Sequence, residues 1–205
     1  MSYCNWEHTS KTDRKYHDTE WGIPLHNDKG QFEYLMMEVM QCGLSWNLII
    51  NKRSILNKCF DNCDYDKIAN YTEKDIMRIL NTPQMIKSPR KISAIINNAK
   101  CFQKLCSEFG SFDNYIWSYS NFKTILYSKH DIGYIPVSNG LSERISKDLK
   151  KRGFKYLGPI VIYSHLQACG IINDHDKNCS RYKYIVENFP TQKLPPDDEV
   201  GVQSF

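Results

Sequence analysis

The chain has 205 residues, 41% hydrophobic and 24% charged, with a formal net charge of +4. These are the proportions of an ordinary globular protein, large enough for one domain or two small lobes with a real core. No apolar run approaches membrane-spanning length. The start, Met1-Ser2-Tyr3-Cys4-Asn5-Trp6, lacks the basic-then-apolar form of a signal peptide, so a cytosolic protein with no membrane span is expected. In that compartment eight cysteines suit thiols and metal ligands better than disulfides.

In chain order, Cys4 and His17 come first, followed by the turn-rich connector Asp18-Thr19-Glu20-Trp21-Gly22-Ile23-Pro24. Phe32, Leu35, Met36, Val39 and Met40 then recur at helical spacing and predict a core-facing helix. Glu38 falls off that stripe, and periodicity alone places it in water. Gly43 ends this helix, and Ser45 caps the next, through Trp46, Leu48 and Ile49. Thr72 caps a helix over 73–80. Ser88-Pro89 opens another, carrying Ile92, Ile95, Ile96 and Ala99, and Ser111 starts one through Tyr115 and Trp117. Residues 121–139 read as irregular, with no parallel-strand pattern anywhere. A helix ends at Gly153 and a second begins near Gly158-Pro159, with Gly170 past its end. From Pro190 to the end, through Pro195-Pro196-Asp197-Asp198-Glu199, a loose tail is expected beyond a body spanning 1–189. The fold class is all-α.

Two features carry chemistry. Asn173-Asp174-His175-Asp176-Lys177-Asn178-Cys179 holds a second His/Cys pair, which with Cys4 and His17 makes a Cys₂His₂ set. One ion on all four would tie the two ends of the chain together. The spacings fit no common zinc finger, and buried thiols with surface histidines are the competing reading. Cys59 and Cys63 have no such linked pair and read as packed thiols. The second feature is the glycine-bounded hairpin, where unpaired N–H groups at a helix start can hold a phosphate without reading sequence. Lys147, Lys150, Lys151, Arg152 and Lys155 flank it, and Lys87, Arg90 and Lys91 form another basic group. A plain helix connection with solvated lysines is the alternative.

The segments Cys4-Asn5-Trp6, Tyr16 to Gly22, Gln41 to Trp46, Lys52-Arg53, Lys91-Ile92, Asn98-Ala99, Leu149 to Gly158 and Gln167 to His175 resemble, in this order and at these separations, the 3-methyladenine DNA glycosylase I family. The resemblance implies an all-helical fold with a helix-hairpin-helix element and one structural Zn²⁺ on Cys4, His17, His175 and Cys179. It implies base-excision repair: a monomeric, monofunctional enzyme that flips out and hydrolytically releases 3-methyladenine from alkylated double-stranded DNA, in the cytoplasm at the bacterial nucleoid. By the same resemblance Glu38 is the base-contacting carboxylate, and Tyr16 and Trp46 belong to the base pocket. Trp6 and Trp21 stand in or behind it, and Leu44 is the wedge that fills the gap left in the duplex. Lys151, Gly153, Lys155 and Gly158 of the hairpin hold DNA.

The chemistry supports those residue types. A ring-methylated adenine is cationic while bound to its sugar, so its glycosidic bond is already weak. Flipping, recognition of a cation by aromatic faces and a carboxylate, and stabilisation of the electron-poor sugar are what an enzyme must add. Two positions depart from the family. Asp13 stands where a pocket tyrosine can occur, and Lys87-Ser88-Pro89 is poor in arginine. Asp174 adjoins His175 and is read as orienting that ligand rather than as the aspartate that helix-hairpin-helix glycosylases often place after the second hairpin helix. Two other readings stay open: a non-catalytic, zinc-stabilised binder of damaged or abasic DNA, and a hydrolase with a catalytic zinc.

Overall fold

The computed structural model describes Cys4, residues 10–128 and residues 130–195. Trp6 and the chain from Pro196 onward lie outside these residues. Among the described residues there are ten α-helices: α1 (Lys11–Thr19), α2 (Asp28–Gln41), α3 (Trp46–Cys59), α4 (Tyr65–Ile68), α5 (Glu73–Asn81), α6 (Pro89–Phe109), α7 (Phe112–Ser118), α8 (Gly140–Lys151), α9 (Pro159–Ala168) and α10 (Ser180–Asn188). No helix of the described residues is long and apolar enough to cross a membrane.

Three of the expected capping residues act where the sequence places them, while Ser88 stands at the N-cap of α6 without a side-chain cap bond, leaving Pro89 to open that helix. Ser45 accepts from the Leu48 amide at 3.3 Å, and Ser111 from Asn114 at 2.9 Å. Thr72 and Asp75 close a capping box at α5, with the Thr72 amide donating to Asp75 at 2.9 Å. Helix α1 was not anticipated, and the reason is its composition. Its buried residues are Asp13, Tyr16 and His17, so it shows no apolar stripe to find.

Helix α2 is the centre. It packs against α3, α6, α7 and α9. Tyr34 and Met37 are buried as fully as the stripe of Phe32, Leu35, Met36, Val39 and Met40. Residues 34–40 of this helix are buried on every side, and that is why Glu38 is not in water.

Two expectations are corrected. Within 121–139, Thr124–Tyr127 forms a strand, β1, and the expected loose end begins instead with a second strand, β2 (Thr191–Leu194), parallel to it. Every residue of β1 is buried, so no alternation marks it. Strand β1 also holds the chain after α9: the Ile125 amide donates to Ile171 O at 2.7 Å, and Asn173 N donates to Ile125 O at 3.0 Å. That fixes the segment leading to His175.

Candidate active site and metal cluster

Cys4, His17, His175 and Cys179 converge and are all buried, with their ligand atoms within 4.8 Å of one another. Cys4 Sγ lies 3.5 Å from His175 Nδ1, and Cys179 Sγ lies 3.7 Å from both His17 Nε2 and His175 Nδ1. A tetrahedral ion with sulfur at about 2.3 Å and nitrogen at about 2.0–2.1 Å requires S···N edges of about 3.6 Å. The other ring nitrogens are occupied. His17 Nδ1 is 2.9 Å from Asp18 Oδ1, and His175 Nε2 is 3.0 Å from the Trp21 carbonyl. Donating outward from those atoms leaves a lone pair on each inward nitrogen. Backbone amides of Asp176 and Arg181 donate to Cys4 and Cys179 at 3.3 and 3.4 Å, which favours thiolates. The neighbouring Cys4 thiol holds the Cys179 sulfur well below the ordinary thiol range while Cys4 itself is pushed up, so one thiolate is favoured in the pair and a divalent cation would favour the second.

Two glycines let the chain wrap this closely. A Cβ on Gly22 would come within 2.9 Å of His175 Nε2. One on Gly170 would lie 2.5 Å from the backbone of Ile23 and Pro24, and both residues have φ of +77°.

Beside the cluster lies a cavity of about 370 Å³, lined by Tyr16, Trp21, Glu38, Gln41, Trp46, Ile135, Ser164, Gln167 and Ala168. That volume lies in the range of small-molecule sites. Cluster and cavity share parts. Tyr16 precedes His17 on α1, and the Trp21 ring meets the His175 ring edge-on at 4.5 Å. Tyr16 and Trp46 have ring centroids 5.0 Å apart. Glu38 is 5% exposed, and burial pushes its carboxyl up to about 8. Burial, and then the nearby Tyr34, Glu38 and Glu20, push the Tyr16 hydroxyl well above its ordinary value.

Gln41, Ser164, Gln167 and Ile135 were not among the expected pocket residues. The signal for three of them was helical spacing: Gln41 is one turn from Glu38, and Ser164 one turn from Gln167. Asp13 does not line the cavity. It is buried, accepts from Ser10 at 2.8 Å and from Asn47 of α3, and so ties α1 to α3. Asp174 does not orient a ligand histidine through its carboxylate. It takes hydrogen bonds from His130 (2.7 Å), Tyr163 (2.6 Å) and Gln167 (2.8 Å), so it steadies the cavity wall through Gln167.

Leu44 is 38% exposed in the turn between α2 and α3. Behind this turn, Lys91 departs from its expected phosphate-facing role. It is 8% exposed, and its Nζ donates to Met40 O and Cys42 O, both at 2.6 Å. The last carbonyls of α2 have no partner within the helix and carry the negative end of its dipole, so a buried ammonium is held there. Lys87 and Arg90 remain exposed.

The hairpin between α8 and α9 is fixed from within. The Lys155 amide donates to Asn98 Oδ1 at 2.7 Å, while Asn98 Nδ2 donates to Lys155 O at 2.9 Å. Asn97 holds Gly153 O at 2.8 Å, and Ser146 holds Leu157 O at 2.7 Å. Tyr156 takes φ of +63°, a left-handed conformation at a non-glycine position. Arg152 turns away from the basic group to Glu108 and Asp148, whereas Lys147, Lys150, Lys151 and Lys155 are exposed. Gly158 brings no side chain to cap α9, so its first N–H groups are left for an anion.

A mostly helical protein with an aromatic cavity around a buried carboxylate, beside a Cys/His group able to hold a metal, is the class defined by these elements. The chain belongs to the methyladenine glycosylase family, whose model matches residues 6–182. It is 36% identical over 182 residues to DNA-3-methyladenine glycosylase 1 of Escherichia coli, covering 89% of this chain and 97% of that protein. It is 34% identical to DNA-3-methyladenine glycosylase of Haemophilus influenzae, covering 86% and 95%. Among solved structures, 3-methyladenine DNA glycosylase I from Staphylococcus aureus, determined for the structural basis of 3-methyladenine recognition, matches with a TM-score of 0.82. That pair is 33% identical over 88% of this chain and 96% of the other.

Proposed function

We propose that this protein is a DNA-3-methyladenine glycosylase that takes the alkylated base out of duplex DNA and releases it by hydrolysis, with no strand-cleaving step. The observation that carries this reading is Glu38, a carboxylate 5% exposed in an aromatic cavity of about 370 Å³. Burial costs it most when charged. A cationic purine seated against it supplies the missing counter-charge, and the carboxylate accepts from the base's amino group. Tyr16 and Trp46 offer aromatic faces to the same cation. No lysine lines the cavity among the described residues, and Lys91 is engaged with two carbonyls, which supports water as the final acceptor. Leu44 is the wedge for the vacated stack, and Lys151, Lys155 and the amides after Gly158 take phosphate. The four-residue cluster would hold one zinc ion, which when bound links the chain's start to residue 179. All four tetrahedral positions are filled by protein donors, which favours a structural role over a catalytic one.

The direct test is release of 3-methyladenine from methylated duplex by the zinc-loaded protein, with Glu38→Ala as control. Absence of release from folded protein overturns the reading. The non-catalytic alternative leaned on Asp13 and on the arginine-poor Lys87 region, and of these Asp13 stands outside the cavity lining.

Two further results are expected. The ionised carboxylate is the form that pairs with the cation, and Glu38 sits near 8 in the free protein. The ratio kcat/KM for base release therefore rises with pH and levels off above about 8, since this ratio reports free-enzyme ionisations. A profile flat from pH 6 to 9 contradicts it. Trp46→Ala should weaken binding of 3-methyladenine about 5- to 150-fold, the equivalent of roughly 1–3 kcal/mol of stacking. Titration by intrinsic fluorescence measures this, and wild-type affinity in the variant removes Trp46 from recognition.

A further inference from the structure

The segment between the turn His130–Ile132 and α8 carries a concentration of exposed apolar side chains. Ile132, Tyr134, Ile135 and Val137 are 74, 72, 38 and 71% exposed. Single exposed hydrophobics are ordinary, but four within six residues make a patch that calls for a partner.

Both ends of the segment are anchored. On one side His130, itself 5% exposed, is 2.7 Å from Asp174. On the other, Asn139 caps α8 by accepting from Ser142 N at 2.9 Å. The patch is therefore held out on a fixed base. Its position is defined by Ile135, which lines the same cavity as Glu38 and Trp46. Helices α8 and α9 pack side by side across the hairpin. The start of α8, where the segment joins, therefore lies near the cavity end of α9, which bears Ser164 and Gln167. The exposed lysines of the hairpin stand at the other end, about 18 Å away for a helix of this length. Patch, cavity and basic hairpin thus follow one another along one helix pair. The Leu44 turn, flanked by Gln41 and Trp46, reaches the same cavity from α2 and α3.

We propose that residues 132–137 form a second apolar contact with duplex DNA. Ile135 closes the cavity over the displaced base, while Tyr134 and Val137 pack against the base step beside the gap. This rests on the cavity receiving a base taken from DNA. The occupant is DNA rather than an apolar protein surface because the patch is continuous with the cavity through Ile135 and is joined to the helix pair that carries the hairpin lysines. Apolar side chains wedged at an unstacked step are a recognised way of holding distorted duplex.

The test compares wild type with a Tyr134→Ala/Val137→Ser double variant; both positions are mostly exposed, so the fold is unaffected. Three quantities are measured: affinity for a duplex bearing a stable abasic-site analogue at fixed salt, fluorescence of 2-aminopurine placed next to that site, and affinity for free 3-methyladenine. The expected result is abasic-duplex affinity weakened about tenfold or more, loss of the 2-aminopurine enhancement, and free-base affinity within about twofold of wild type. Ile135→Ala should instead weaken free-base binding. Unchanged duplex affinity and 2-aminopurine signal in the double variant overturn the proposal. So does a wild-type dimer in sedimentation that the double variant converts to monomer, since the patch would then belong to a second copy of the chain. Wild type that binds the abasic duplex but releases no base would count against the glycosylase reading alone, and the duplex measurements would still decide the role of the segment.

Discussion

Replacing Glu38 by glutamine should lower 3-methyladenine release roughly 10²–10³-fold while making the protein more stable at neutral and alkaline pH. The first effect follows from losing a negative charge placed where positive charge must be held. Single preorganised electrostatic contacts in enclosed sites are worth about that much. Glutamine keeps the shape and can still accept from an amino group, so the loss isolates the charge. The second effect follows from linkage. Glu38 has its ordinary value of 4.5 in the unfolded chain and about 8 when folded. Its contribution to stability is intact below pH 4.5 and is lost progressively as pH rises through 8. Removing it should therefore be nearly neutral near pH 4.5 and stabilising by roughly 2–4 kcal/mol at pH 7, with the gain growing further and levelling off above about pH 8. For a chain of this size that is a rise in Tm of about 5–15 °C. Thermal melts of both proteins at pH 5 and pH 8, beside rates of base release, check the pair of effects. Parallel melting curves at both pH values would remove the buried-carboxylate argument, and an unchanged rate would remove Glu38 from the chemistry. A gain in stability with a loss of activity also marks where the fold has been held away from its optimum for function.

How legible was this in the sequence? Local signals were read well where one residue type does one job. Ser45 and Ser111 cap helices, Pro89 opens α6, and Gly153 and Gly158 bound the hairpin. The spacing of Cys4, His17, His175 and Cys179 is not that of a zinc finger because the site is built from both ends of the fold. The two His/Cys pairs suggest a shared ion beside a reading as buried thiols, the family resemblance favours the ion, and the four side chains do meet. What stayed hidden depends on tertiary surroundings. Periodicity puts Glu38 in water because it sees one helix, and it cannot see that α3, α6, α7 and α9 together cover every side of α2 over residues 34–40. Lys91 looks like its neighbours Lys87 and Arg90 until the end of α2 is placed against it. Helix α1 was invisible because an aspartate, a tyrosine and a histidine form its buried side. These cases share a cause. Each is a polar side chain inside the protein: Lys91 and the buried face of α1 meet partners distant in sequence, whereas Glu38 is buried by distant elements and faces the cavity.

Loss of a cluster ligand should be the most destabilising single change in the molecule. Cys179→Ser or His175→Ala is expected to abolish stoichiometric zinc and lower Tm by about 10 °C or more. A cross-link closing so long a loop is worth about 5 kcal/mol in chain entropy alone, and each kilocalorie shifts Tm by about 2–4 °C at this size. A strong chelator should reproduce the fall in wild type, because ion binding and folding draw on the same free energy. The two variants should then differ in function, for a geometric reason. Cys179 touches the cluster and the start of α10. His175 also donates to the Trp21 carbonyl at 3.0 Å and packs on the Trp21 ring, which is a wall of the cavity that holds Glu38. At a temperature where both variants remain folded, His175→Ala should therefore weaken 3-methyladenine binding more than Cys179→Ser does. Equal affinities in the two variants would show that the cluster holds the chain ends together without shaping the cavity. Unchanged melting in both, with and without chelator, would show that it does not hold them at all.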